Sequence, residues 1–103
     1  PMSAFTFEIT GPTWTQVGED AYIVGNVPEL GDWNPYLGVK LSGDAFPVWK
    51  GDVKLPQGKA IEFKVVVVDT RSGPNGYVTW ETGENRSLTV PLAQSGKFTG
   101  EWR

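Results

Sequence analysis

The sequence predicts an all-β fold, an antiparallel immunoglobulin-like β-sandwich of seven to eight strands. Three observations lead there. Thirteen Gly and eight Pro punctuate a chain of 103 residues, so tight turns must be frequent. Valines and aromatics, which suit a pleated surface, dominate the apolar content. Apolar and polar residues alternate at period two in one segment after another, and no segment carries a helical period.

Ala4-Phe5-Thr6-Phe7-Glu8-Ile9-Thr10 alternates as a half-buried strand, and Gly11-Pro12 breaks it. Trp14 to Gly18 reads as a loop or edge, followed by a strand over Asp20-Ala21-Tyr22-Ile23-Val24-Gly25. Asn26 to Tyr36, with two prolines and a Leu-Gly-Asp-Trp stretch, is an irregular connection. Val39-Lys40-Leu41-Ser42 forms a brief strand that turns at Gly43-Asp44. From Phe46 to Leu55 a strand places Trp49, Gly51, Val53 and Leu55 on one face. Pro56-Gln57-Gly58-Lys59 turns into the longest strand, Ala60 to Asp69. There Ile61, Phe63, Val65 and Val67 oppose Glu62, Lys64, Val66 and Val68. A polar hairpin loop with Pro74-Asn75-Gly76 precedes a strand over Tyr77 to Trp80; further strands run over Arg86 to Val90 and Gly96 to Trp102.

One domain over residues 1–103 accounts for this length, and such a chain can bury a core without disulfides, as it must with no Cys. Having neither His nor Cys excludes Ser-His-Asp and Cys-His catalysis and ordinary zinc sites. A net charge of −3 without a basic cluster argues against nucleic acid or an anionic membrane as partner. No apolar run reaches membrane-spanning length. The chain begins at Pro1 and reads as a processed product or a segment of a longer protein.

Trp33 and Trp80 stand in or beside segments of Gly, Pro, Asn and Asp, where a core tryptophan is not expected. A tryptophan delivered by a polar loop is a flat, rigid contact surface. Glu62, Lys64, Glu81, Asn85 and Arg86 add hydrogen-bonding groups nearby in the sequence. Indole planes with a polar rim suit sugars, which offer C–H faces to a ring and hydroxyls to amides, carboxylates and ammonium groups. The competing readings are a partly buried loop tryptophan, a snorkelling surface lysine at Lys64, and a turn acid and turn amide at Glu81 and Asn85. Trp49, beside Val53 and Leu55, reads as core or as support for a second site, and Trp102, alternating with Phe98, reads as core.

Four segments in order resemble the starch-binding domains of carbohydrate-binding module family 20, found in glucoamylases, amylases and cyclodextrin glucanotransferases. They are Ala21 to Trp33 (with Pro28-Glu29-Leu30-Gly31-Asp32-Trp33), Leu55 to Lys64, Val78-Thr79-Trp80-Glu81 with Glu84 to Pro91, and Thr99-Gly100-Glu101-Trp102-Arg103. The resemblance implies non-catalytic binding of α-1,4-glucan (starch, maltooligosaccharide, cyclodextrin or glycogen), with no metal or cofactor. It implies a first site of Trp33, Lys64, Trp80, Glu81 and Asn85, and a linked catalytic domain held near its substrate. It also implies a monomeric module within a secreted, extracellular protein, an intracellular one remaining open.

A second family site needs a tyrosine where this chain has Val17 and another where it has Phe46, after Asp44-Ala45. The longer loop from Gly11 to Gly18 carries Trp14 two or three residues from that vacancy. Trp14, Asp44, Phe46 and Glu62 therefore form the expected second set. Two other function classes stand beside this one. A protein-interaction sandwich would use Trp33 and Trp80 as hot-spot anchors. A small glycosidase would need two of its acids to flank a cleft, for which this chain has little material.

Overall fold

The structure, a computed structural model, describes residues 1–71, 73 and 75–103. The turn expected at Pro74-Asn75-Gly76 therefore begins outside the described residues. Among the described residues nine strands are seen: β1 Met2–Thr10, β2 Glu19–Gly25, β3 Val39–Lys40, β4 Ser42–Ala45, β5 Val48–Pro56, β6 Ala60–Asp69, β7 Val78–Trp80, β8 Arg86–Thr89 and β9 Ser95–Glu101. They form two sheets, one ordered β4-β5-β1-β9 and the other β3-β2-β6-β7, with β8 also paired to β6.

The period-two pattern places the core between them. Phe5, Phe7 and Ile9 of β1 face Ile61, Phe63 and Val65 of β6, joined by Ile23, Leu55 and Trp49, all buried. Phe63 meets Phe7 and Phe98 edge-on, with ring centroids 5.2 and 5.1 Å away. Trp102 packs half-buried on this core.

Three details differ from the sequence reading. The expected strand over Val39 to Ser42 is cut at Leu41, because the chain changes sheets there. Buried Leu41 donates its N–H to Ala21 O while β3 pairs with β2 and β4 with β5. Phe46-Pro47 belongs to a turn and β5 starts at Val48, consistent with a proline that has no N–H for a ladder. The sandwich is also not wholly antiparallel, since β9 runs parallel to β1 from Ala4↔Ser95 to Thr10↔Glu101. The connection after β8 crosses to the opposite sheet instead of returning as a hairpin, and alternation carries no information about strand direction.

The irregular connection after β2 contains two 3₁₀ segments, Pro28–Trp33 and Pro35–Leu37. Neither is long enough to show a helical period. Their place in the fold decides what the outer face of the five-stranded sheet presents.

Candidate functional site

On that outer face the strands carry an apolar patch. Val24 of β2 and Val66 and Val68 of β6 point away from the core yet are buried. An antiparallel sheet facing water is normally polar there, so these valines need a cover. Trp33, Tyr22 and Val78 pack against them. Trp80 joins the same face because it pairs with Val66, which also pairs with Tyr22.

Trp33 reaches the patch through an uncommon backbone path. Gly31, Asp32 and Trp33 have φ of 80°, 50° and 64°, three successive left-handed residues. A bulky side chain is seldom found there, and such a conformation costs about 1–3 kcal/mol per non-glycine residue. Local bonds hold it: Leu30 and Asp32 N–H both donate to Val27 O, and Asn34 N–H donates to Gly31 O. Buried Leu30 anchors the segment in the core. At Gly31 a Cβ would lie 2.7 Å from the Leu37 carbonyl carbon, so only glycine fits.

Trp80 and Asn85 flank a gap in the strand beside β6. β7 pairs with Val66 to Val68 and β8 with Ala60 to Phe63, and the segment from Glu81 to Asn85 loops out between them. Glu81 closes the gap. Its N–H donates to Val65 O at 3.1 Å, and its carboxylate accepts the Val65 N–H at 2.9 Å in place of a strand carbonyl. The same carboxylate accepts from Arg86 Nε at 2.9 Å and Nη2 at 2.7 Å. Arg86 also donates to Glu101 O and lies over the Phe98 ring. Glu81 is 2% exposed, so its side chain braces the loop and does not stand at a polar rim.

Lys64 stays on the outer face, where its Nζ donates to Gly83 O at 2.7 Å, fixing the loop's tip. Of the first expected set, Trp33, Lys64, Trp80 and Asn85 thus surround one face, and Glu81 lies beneath it. Two tyrosines, which the sequence offers as packing or rim residues, stand beside them. Tyr22 sits in the row of Val66 and Trp80, and Tyr36 donates its hydroxyl to Gly76 O at 2.9 Å, tying the 3₁₀ segment to the approach of β7. Tyr22 stood in an apparently ordinary strand, and nothing local pairs Tyr36 with a residue 40 positions away.

The second expected set is divided. Asp44 and Phe46 line an open groove of about 520 Å³ together with Gln16, Val17, Gly43 and Trp49. Phe46 is half exposed and stands edge-on to Trp49 at 6.1 Å. Trp49 is 3% exposed and donates its indole N–H to Pro12 O, so it is core with one edge toward the groove. Trp14 lies edge-on to Trp102 at 6.0 Å, though half its surface stays open. Glu62 does not belong to this set. It lies on the outer face of β6, two positions from Lys64, and its Oε1 accepts from Asn85 Nδ2 at 3.4 Å. The even positions of β6 all face one way, and this puts Glu62 with the first group.

Among the described residues no cluster of three or more acids or other ligating side chains could hold a metal.

Comparison with known proteins identifies the family of the fold. The family model described as "Starch binding domain" matches residues 2–99. The chain is 43% identical over 91 residues to an α-amylase of Streptomyces violaceus, covering 88% of this chain and 15% of that protein. It is 39% identical over 93 residues to a cyclomaltodextrin glucanotransferase of Geobacillus stearothermophilus, covering 86% and 12%. Among solved structures, the family 20 carbohydrate-binding module of a maltotetraose-forming amylase from Pseudomonas saccharophila superposes with a TM-score of 0.82. Identity is 29%, over 96% of this chain and 99% of that one. A γ-cyclodextrin glucanotransferase from Bacillus clarkii gives a TM-score of 0.88 at 35% identity, over 99% and 15%. The chain spans 12–17% of the length of the curated relatives it matches.

Proposed function

This chain belongs to the family 20 starch-binding domains, and from that membership we propose that it binds α-1,4-glucan through Trp33, Trp80, Lys64 and Asn85 and performs no catalysis itself. The observation that carries the reading is the pair of indoles on one outer face, one half-buried and the other 41% exposed, beside an ammonium and an amide. Successive glucose units lay their C–H faces on the two rings, each such contact contributing about 1–3 kcal/mol. Lys64 and Asn85 supply hydrogen bonds to hydroxyls at the rim. Because Lys64 and the Glu81–Arg86 pair already fix the loop, little ordering is left to offset this gain.

The module serves as the anchor of a larger starch-active enzyme working outside the cell. Support comes from the relatives, amylases and glucanotransferases of which this region is a small part. Tethering raises the effective concentration of a catalytic domain at an insoluble polymer. A second, weaker glucan site in the groove of Asp44 and Phe46 is favoured by the half-exposed Phe46 ring. It would add avidity on a granule.

Adsorption tests the assignment. The isolated chain should be depleted from solution by granular starch, released by excess β-cyclodextrin, and left in solution by cellulose. Equal retention on both polymers, or on neither, would contradict it; a protein-interaction sandwich would show no preference for starch.

A further inference from the structure

The outer face of the five-stranded sheet does not end at Lys64. Toward the start of β6 it continues into an open trough of about 500 Å³ lined by Asn26, Ala60, Glu62, Ser87 and Thr89. The register explains the lining. Glu62 pairs with Ser87 and Ala60 with Thr89, so these side chains lie in two successive rows of the face that carries Lys64 and Val66. Each row is about 6.7 Å from the next along the strand.

The far wall is held rigidly. Asn26 N–H donates to Glu62 O at 3.0 Å, and Asn26 Oδ1 accepts the Glu62 N–H at 3.0 Å, prolonging the β2–β6 ladder by one residue. Asn26 Nδ2 has no hydrogen bond among the described residues. The near wall is joined to the tryptophan loop where Glu62 Oε1 meets Asn85 Nδ2. The trough is therefore continuous with the loop that positions Trp80.

We propose that this trough is an extension subsite for the later glucose units of a linear α-1,4-glucan whose first units stack on Trp33 and Trp80. The inference rests on the glucan-binding reading of those two rings. Its lining offers two hydroxyls, one amide donor and one carboxylate, completed by Ala60, Ile61 and Leu88 and with no aromatic plane. Such a surface can exchange hydrogen bonds with a neutral polyhydroxyl chain, as donor and as acceptor. Glu62, the one charged side chain in the lining, disfavours phosphate or carboxylate ligands. The trough thus selects for chain length: short oligosaccharides fill only the aromatic pair, and longer ones reach the hydroxyl rows. A closed ring has no free run of chain to lay along β6.

The test is calorimetric titration of maltotriose, maltodecaose and β-cyclodextrin into the wild-type chain and into Ser87→Leu and Thr89→Val, both at exposed strand positions. We expect each substitution to weaken maltodecaose about three- to tenfold, the order that one or two net hydrogen bonds allow. Maltotriose and β-cyclodextrin should bind as to the wild type. The comparison at fixed ligand cancels the statistical advantage of a long chain, which has more registers. Maltodecaose affinity unchanged in both variants would overturn the subsite, as would an equal loss for all three ligands. Absence of binding of any of them to the wild type would overturn the glucan reading beneath it.

Discussion

The carboxylate of Glu81 lies 2.7 Å from Nη2 and 2.9 Å from Nε of Arg86, and both side chains are buried where the strand beside β6 is interrupted. The pair replaces a missing stretch of ladder and sets the course of the loop from Trp80 to Asn85.

Removing one partner leaves the other buried and uncompensated, so Glu81→Ala should cost about 3–5 kcal/mol of stability. Glu81→Gln, which keeps an acceptor for the Val65 N–H, should cost less. Urea denaturation reads both. A sugar-facing Glu81 would give the opposite pattern, with affinity lost and stability intact.

The groove beside Trp49 supports a second prediction. Phe46→Ala should remove the weaker of two glucan equivalents, because Phe46 is the half-exposed ring lining that groove. Trp14→Ala should have the smaller effect on binding, since Trp14 is turned onto Trp102. Stoichiometry from calorimetry distinguishes them; loss of the second equivalent in Trp14→Ala alone would restore Trp14 as its stacking surface.

Acid stability provides a third. The Arg71 guanidinium hydrogen-bonded to Asp69 holds that carboxyl down at about 2, helped by the Arg71 N–H. The Lys97 ammonium likewise lowers Glu8. Folded-state values below the unfolded ones contribute stability that is present above about pH 4 and is lost as pH falls toward 2. Melting temperature should therefore drop through that window. Asp69→Asn should drop less steeply, the effect being modest because the pair is exposed. Parallel curves for the two proteins would contradict the assignment.

Much of this was legible in the chain. Strands such as β1 and β6 declared themselves because one face meets a core, and period two reports that directly. The left-handed turn that delivers Trp33 was hidden, because Asp32 and Trp33 carry no local mark of positive φ; only Gly31 does. Glu81 looked like a turn acid because its partners, Val65 and Arg86, are brought to it by the β6 register. Glu62 lies beside Asn85 and apart from Asp44 and Phe46 for a related reason. Alternation gave its face, but not which loops gather over that end of the sheet. The parallel β1–β9 pairing was likewise set by a crossover that leaves no trace in alternation.

The most direct test is titration of β-cyclodextrin into the wild-type chain and into a variant carrying both Trp33→Ala and Trp80→Ala. The wild type should bind with micromolar to millimolar Kd, about −4 to −8 kcal/mol, with quenched tryptophan fluorescence and little dependence on salt, because the ligand is neutral. The folded double variant should lose one full equivalent of ligand. No heat from the wild type up to millimolar ligand, or the same stoichiometry and affinity in the double variant, would contradict the account.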